Sequence, residues 1–342
     1  MTPRVNWRAW SGLWALPLLL HGSTTAHAAE LSCERPEVRA FSVSVETRHR
    51  IPSSETCALF AEAKLRADVL RLIAPAPVSR PPDWDRYRAN FVNERRIRDG
   101  IGFWETHQVL LSQVAAQSGV PASVLVALIG VETHYGGNVG RHKTFDALAT
   151  LAFEYPRRAD FFRGELEALL VLAREQQLEV RDIRGSYAGA LGMPQFMPSS
   201  WRAYAVDGDG DGQVDLWGSV ADVVASIANF LLEHGWLRDQ PAALRAQADD
   251  NIEVTGGIKP DTPLAQLATQ GVRILGGQPD GTPGVLLRYG NADQAEYWVG
   301  LENFYVITRY NRSSFYAMSV WQLAEALREA GVGVAAGALA SN

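Results

Sequence analysis

The chain has 342 residues, of which 47% are hydrophobic and 20% charged, and its formal net charge is −6 at pH 7. Such a chain is globular, with room for two or three subdomains, and is not an intrinsically disordered polymer. Its acidic balance gives no support to nucleic acid as a partner, which would call for a basic surface.

In chain order, the first element is a targeting signal. Arg4 and Arg8 precede the apolar stretch Trp10–Leu20, and Ala26-His27-Ala28 forms a small-x-small cleavage pattern. This reads as a secretory signal peptide over residues 1–28. A membrane anchor is the alternative, but the apolar run is far shorter than the ~20 residues that span a bilayer. Cys33 and Cys57 follow the cleavage site. In an oxidising compartment they are expected to form a disulfide that staples the N-terminal segment to the first helix. A lipid-modified Cys33 is the other reading, although Glu30-Leu31-Ser32 places a charge where a lipoprotein signal carries an aliphatic residue.

Residues 29–55 carry little pattern. Leu59, Ala63, Leu65, Val69 and Leu72 recur at helical spacing and predict a helix over 56–73. Pro75, Pro77, Pro81 and Pro82 then make a stiff linker. Residues 83–116 read as helical, with a break near Asp99-Gly100. Pro121 opens the next helix, where a first-turn proline costs nothing. That helix is apolar all round through Val131, which predicts burial, and Gly136-Gly137 is expected to end it. Helices follow over 144–152 and 158–177, then a Gly-rich segment over 185–200, an acidic Gly loop over 207–215 and a helix over 219–234. From 252 to 310 short β-branched or aromatic runs alternate with turn residues, Phe304-Tyr-Val-Ile-Thr among them, and predict a small β-rich subdomain. A last helix covers 313–330, and the Gly/Ala tail is expected to be disordered.

Glu132 stands at the C-terminal end of the apolar helix. Apolar surroundings disfavour its anion, and so does the negative end of the helix dipole. Both effects raise the pKa. A carboxyl that stays protonated near neutrality can serve as general acid toward a glycosidic oxygen. A Glu near a helix end is more often a solvated cap; the neighbouring Thr133-His-Tyr-Gly-Gly137 is what favours a site. Most glycosidases use two carboxylates, yet Asp146, Glu154 and Asp160 stand in ordinary helical or turn settings.

Four ordered blocks carry a resemblance: Ile129-Gly-Val-Glu-Thr-His-Tyr-Gly136, Phe145–Arg158, Gly185–Ser200 and Phe304–Asn311. Together they resemble the lytic murein transglycosylase B family over roughly residues 59–330. The resemblance implies a lysozyme-like core and a single-acid reaction. The acid protonates the bond between N-acetylmuramic acid and N-acetylglucosamine, then as a base activates the muramyl 6-hydroxyl, which attacks its own anomeric carbon and leaves a 1,6-anhydro end. An intramolecular attacker has a large effective-molarity advantage, which accounts for the missing second acid.

The same resemblance implies site roles for further residues. Ser186 and Gln195 would line the site, with Phe196 as a wall. Tyr87 would contact saccharide, and Tyr310, Asn311 and Tyr316 would close the cleft. Phe230 stands where the family often has tyrosine, which puts a hydroxyl contribution there in doubt. Arg157 and Arg158 would face the peptide or lactyl carboxylate, to which arginine forks pair well.

Asp207, Asp209 and Asp211, with Gly212 at the sharp turn and the Gln213 carbonyl next, match the opening positions of an EF-hand loop. The twelfth position is Gly218 rather than Glu. The resemblance implies a lengthened loop, with Asp222 as the late ligand. A structural calcium ion is expected, and no organic cofactor. The zinc motif HExxH and a CxxC pair are absent, Gly185–Gly189 is not a nucleophile elbow because its serine is misplaced, and His134 and His142 read as ordinary polar residues.

The expected architecture is α+β and mainly α. A lysozyme-like catalytic core (98–250, with the EF-hand-like loop at 207–222) joins an N-terminal helical segment (29–97), a small β-rich subdomain (251–310), a C-terminal helix (311–332) and a flexible tail (333–342). The expected protein is a periplasmic peptidoglycan lytic transglycosylase without a transmembrane span in its mature form. Its expected partners are glycan strands, with cell-wall synthesis or division proteins as further candidates. A muramidase that uses water and a non-catalytic peptidoglycan-binding protein are the alternatives.

Overall fold

The computed structural model describes residues 31–75, 83–249, 252, 254, 256–290 and 295–340. The expected signal peptide and the linker residues Pro77, Pro81 and Pro82 lie outside the described residues. The fold is mainly helical, with one five-stranded sheet and a two-stranded ribbon.

Three helices open the described chain: α1 (Pro36–His49), α2 (Ser53–Glu62) and α3 (Ala67–Ile73). Helix α1 falls where no pattern was expected. Its buried residues Val38, Phe41, Ser42 and Val45 do repeat at helical spacing, but the polar Ser42 interrupts that stripe. The single helix expected over 56–73 is two helices, separated at residues 63–66. Cys33 and Cys57 are joined, with Cα atoms 5.5 Å apart, so the segment before α1 is tied to α2. Closing a loop of this length stabilises the fold by about 3 kcal/mol.

Helices α4 (Trp84–Ala89), α5 (Glu94–Thr106), α6 (Gln108–Ser118) and α7 (Ala122–Thr133) follow. The expected break at Asp99-Gly100 does not occur. Gly100 sits inside α5 because the Tyr135 side chain lies against it: a Cβ there would stand 2.3 Å from Tyr135 Oη. Pro121 is the N-cap of α7 rather than its first residue.

Next come β1 (His142–Lys143), α8 (Thr144–Glu154), a 3₁₀ turn (Pro156–Arg158), α9 (Ala159–Glu175), β2 (Arg184–Gly185), α10 (Pro198–Tyr204) and α11 (Val220–Glu233). Strands β1 and β2 form the antiparallel ribbon.

The larger sheet has the order β4-β6-β7-β3-β5, all neighbours antiparallel. Its strands are β3 (Ala243–Ala248), β4 (Thr262–Pro263), β5 (Val272–Leu275), β6 (Pro283–Tyr289) and β7 (Glu296–Gly300), with α12 (Leu264–Thr269) between β4 and β5. Both faces of β6 and β7 are buried. Val285, Leu287, Tyr289 and Trp298 join the main core, while Leu286 and Val299 join a second, smaller one with Leu264 and Leu267 of α12. The strand period of two sends alternate side chains to opposite faces, so a doubly covered strand reads as a nearly unbroken apolar run.

This sheet begins before the expected boundary at residue 251, and it ends at Gly300. Phe304-Tyr-Val-Ile-Thr, expected as a strand, lies in α13 (Glu302–Tyr310). A five-residue apolar run does not separate strand from helix by itself; the buried set Phe304, Ile307 and Thr308 has helical spacing. The last helix, α14, spans Ser314–Ala340 and so passes residue 332, where a flexible tail was expected. Alanine, the strongest helix former, dominates that stretch.

Candidate active site

Helix α7 is the centre of the main core. Val124, Leu125, Val126, Ala127, Leu128 and Ile129 are all fully buried, and α14, α5, α6 and α11 pack around the helix. Glu132 occupies its final turn, one residue before the helix ends. The chain then reverses through His134 and Tyr135, both left-handed (φ 53° and 59°).

A brace from α5 holds that reversal. His134 Nε2 and Asp99 Oδ2 are 2.7 Å apart, and the bond holds the Asp99 carboxyl below its usual range. Tyr135 Oη donates to the Arg96 carbonyl at 2.8 Å, and the Arg96 guanidinium donates to the Gly130 carbonyl. Gly130 admits the Tyr135 ring, since a Cβ there would come within 2.7 Å of it. The Thr133 hydroxyl donates to the Met193 carbonyl (3.1 Å) and accepts from the Gly136 amide (3.0 Å), tying α7 to the loop over 191–196.

Glu132 itself is half-buried, so its carboxyl can meet a ligand. Desolvation by the surrounding protein raises its pKa to about 7; a hydrogen bond from Tyr316 opposes this in part. Tyr316 Oη donates to Glu132 Oε1 at 2.5 Å. Tyr316 is 3% exposed, and burial, then the Glu132 charge, push its own pKa well above the usual value. Tyr310 lies parallel to Tyr316, with ring centroids 6.5 Å apart, and donates to the Pro194 carbonyl at 2.6 Å. Tyr87, half-buried against Phe91 and Phe315, is also shifted upward by burial and then by the Glu132 charge. Three tyrosines from α4, α13 and α14 thus gather at the end of α7.

The other carboxylates considered as a second acid are occupied elsewhere. Asp146 Oδ1 accepts from the Lys64 amide, Glu154 pairs with Arg35 at 2.6 Å, and Asp160 pairs with Arg163 at 3.0 Å. Glu165, buried on α9, accepts from both the amide and the hydroxyl of Ser199. Glu132 is the buried-helix carboxylate whose one side-chain partner, among the described residues, is a tyrosine.

The Gly-rich loop follows the sequence expectation in part. Gln195 is half-buried and left-handed (φ 50°). Its Nε2 donates to the carbonyls of Gly192 (2.8 Å) and Val139 (3.2 Å), leaving its own carbonyl oxygen without a protein partner among the described residues. Ser186 Oγ accepts from the Ala190 amide at 3.0 Å, which leaves its proton available. Neither residue hydrogen-bonds Glu132 among the described residues. Phe196 and Phe230 are 2% and 5% exposed and pack against each other and Tyr310 in tilted and edge-to-face contacts at centroid distances of 4.8–5.7 Å. They are core residues that back Tyr310 rather than surfaces open to a ligand. Asn311 is exposed just past α13. Arg157 and Arg158 are exposed on the 3₁₀ turn, with the Arg158 guanidinium over the Phe161 ring at 4.2 Å.

In the acidic loop, carboxylate oxygens of Asp207, Asp209 and Asp211 lie within 4.8 Å of one another, all three exposed. Gly210 and Gly212 take the positive φ values (79° and 90°) that curl the chain around them. Asp207 accepts the amides of Gly210 and Gly212 at 2.6 and 2.8 Å, and these bonds, Gly212 first, lower its pKa. Three carboxylates at one point make a hard-oxygen donor set suited to a divalent cation. Gln213 is exposed next to them, and its amide donates to Asp211. Asp222 does not join the cluster. It is 1% exposed, and its two oxygens accept the amides of Gly208 (2.7 Å) and Asp215 (2.6 Å). Ser219 caps α11 and places Asp222 in its first turn, so that carboxylate braces the loop from the buried side.

Sequence reasoning missed the brace formed by Arg96, Asp99, Thr133 and Tyr135. The signal open to it was the pair Gly100 and Gly130, two glycines inside helices with an aromatic residue nearby.

Comparison with known proteins adds to this geometry. Residues 34–325 match the family described as Transglycosylase SLT domain. The chain is 39% identical to the membrane-bound lytic murein transglycosylase B of Escherichia coli K12 over 303 residues, which is 85% of this chain and 82% of that protein. It is similar to the crystal structure of the soluble lytic transglycosylase SltB1 from Pseudomonas aeruginosa, at 42% identity and a TM-score of 0.81, covering 86% of this chain and 99% of that one. It is also similar to the Escherichia coli lytic transglycosylase Slt35 in complex with calcium, at 38% identity and a TM-score of 0.78, covering 87% and 94%.

Proposed function

The chain belongs to the transglycosylase SLT domain family, as a lytic murein transglycosylase, and from this premise we propose that Glu132 is its lone catalytic acid and base. The observation that carries the proposal is a half-buried carboxyl with a pKa near 7, at the end of a buried helix, with one tyrosine as its partner.

Tyr316 donates to Oε1, so in the protonated state the proton sits on Oε2. That proton passes to the glycosidic oxygen between N-acetylmuramic acid and N-acetylglucosamine as the bond to the muramyl anomeric carbon breaks. The carboxylate then takes the proton of the muramyl 6-hydroxyl as its oxygen bonds to that anomeric carbon. Glu132 ends protonated, no water is consumed, and the product carries a 1,6-anhydro end. A pKa close to neutral suits a group that must both give and take a proton.

Around the acid, the free Gln195 carbonyl and the Ser186 hydroxyl bind sugar substituents. Tyr87, Tyr310 and Asn311 shape the cleft, with Phe196 and Phe230 as support behind it. Arg157 and Arg158 meet carboxylates of the substrate at the rim. Asp207, Asp209, Asp211 and the Gln213 carbonyl would hold a calcium ion, which would supply structural cohesion and no chemistry. Among the described residues no single helix is long and apolar enough to cross a membrane; export to the periplasm by residues 1–28 is part of this reading.

The test is mass analysis of fragments released from purified sacculi. Products lighter by one water than reducing disaccharides support the reaction; reducing muramyl ends alone would establish a hydrolase instead. Binding without release of fragments would leave only a wall-binding role.

A further inference from the structure

A second feature lies outside the Glu132 cleft. A cavity of about 260 Å³ opens between the α2–α3 junction, the β1–β2 ribbon and the first turn of α8. Six cationic side chains from three chain segments line it: Lys64, Arg66, Arg141, Lys143, Arg181 and Arg184. In a chain of net charge −6, that concentration of one sign is unusual.

Two of the six are neutralised within the protein. Arg66 pairs with Asp68 at 2.8 Å and Arg181 with Glu62 at 2.9 Å. Lys64, Arg141, Lys143 and Arg184 make no ion pair among the described residues. The other acidic group of the lining, Asp146, accepts the Lys64 amide. Lys143 is also the N-cap of the eleven-residue helix α8, which has no side-chain cap, so the positive end of that helix adds to the same field. Cations gathered around a concavity repel one another and focus attraction on an anion.

The lining of the cavity continues along the backbone into the Gly-rich loop. Arg184 precedes Gly185 and Ser186, and Arg141 follows Gly140. Gly140 packs so closely on Gly185 that a Cβ would stand 2.1 Å from its carbonyl carbon. In the proposed function Ser186 binds sugar, and Arg184, two residues before it, lines the cationic cavity. Murein glycan strands carry peptides bearing several free carboxylates on the muramyl lactyl group.

We infer that this cavity is a subsite for the carboxylates of the peptide stem, separate from the saccharide cleft. The inference rests on the proposed function and narrows it: glycan is cut at Glu132, while an adjacent stem is gripped through Lys64, Arg141, Lys143 and Arg184.

The experiment compares two substrates, intact peptide-bearing strands and strands whose peptides an amidase has removed. Lys64 and Lys143 are exposed and unpaired, so the double variant Lys64→Gln/Lys143→Gln should fold with an unchanged melting temperature. On intact strands at low salt its KM is expected to rise about 3- to 10-fold, as for loss of two exposed charge contacts, with kcat unchanged and the difference shrinking in salt. On stripped strands it should match the wild type. An equal KM on both substrates, or an equal rise on both, overturns the subsite. So does relief of the difference by millimolar inorganic phosphate but not by free stem peptide, which would mark a phosphate site. The Glu132 reading is tested separately by wild-type cleavage of stripped strands, so the two can fail independently.

Discussion

The end of α7 and the acidic loop treat the same functional group in opposite ways. Glu132 is packed into protein, receives one hydrogen bond and holds its proton to about pH 7. Asp207 is exposed, receives backbone amides and is driven below its ordinary pKa. The number of donors and the access of water decide which carboxyl is an acid and which is a permanent anion. One arrangement supports proton transfer, the other cation binding.

Four experiments break or sharpen this contrast. Glu132→Gln should lower turnover by about 10²–10⁴-fold, the range of a general acid–base contribution, whereas Asp209→Asn should leave turnover within a few-fold at saturating calcium. Turnover of released soluble fragments is the measurement; equal losses in the two variants would erase the distinction.

The second experiment concerns stability. The folded pKa of Glu132 is raised above its unfolded value, so the folded state binds the proton more tightly. Its stability contribution is full below about pH 4.5 and is lost as pH rises toward 7, where ionisation in the desolvated site opposes folding. Glu132→Gln removes that opposition. The variant should be more stable than the wild type above pH 7 by on the order of 2 kcal/mol, with the gap closing near pH 4.5. Urea unfolding at the two pH values reads it.

Third, removing calcium with a chelator should lower the melting temperature, since an ion bound at a hundred times its dissociation constant stabilises by about 2.7 kcal/mol. The shift should vanish in Asp207→Asn/Asp209→Asn, and a chelator without effect on the wild type would refute the ion. Fourth and smallest, the Tyr316 bond lowers the Glu132 pKa. Tyr316→Phe should therefore move the alkaline limb of the pH–rate profile to higher pH, while loop variants leave that limb in place.

Much of this contrast was legible in the sequence. An all-apolar helix ending near Glu132 announces burial, and three aspartates alternating with glycines announce a loop that gathers carboxylates. What escaped reading depends on contacts between distant residues. The Tyr316 hydroxyl meets a carboxylate 184 residues away, and no periodicity encodes that. Asp222 resembles a late loop ligand by position, but the capping of α11 by Ser219 turns it toward backbone amides. Phe196 and Phe230 look like cleft aromatics until their burial is seen. The run 304–308 resembled a strand because it is short and apolar, while β3, with Arg245 and Gln247 among its six residues, lacked the apolar alternation that reveals a strand.

The bond between α14 and the acid also bears on the timing of synthesis. Tyr316 leaves the ribosome long after Glu132, so a nascent or truncated chain ending near residue 313 has neither the hydroxyl that bonds Glu132 nor the helix that carries it. Its Glu132 would lose the Tyr316 bond and the part of its burial that α14 supplies, although α5, α6 and α11 would still pack on α7. Such a chain should release no fragments from sacculi at any pH, whereas adding back the remainder of α14 restores release. A lytic transglycosylase built this way would thereby become competent only after α14 has been synthesised.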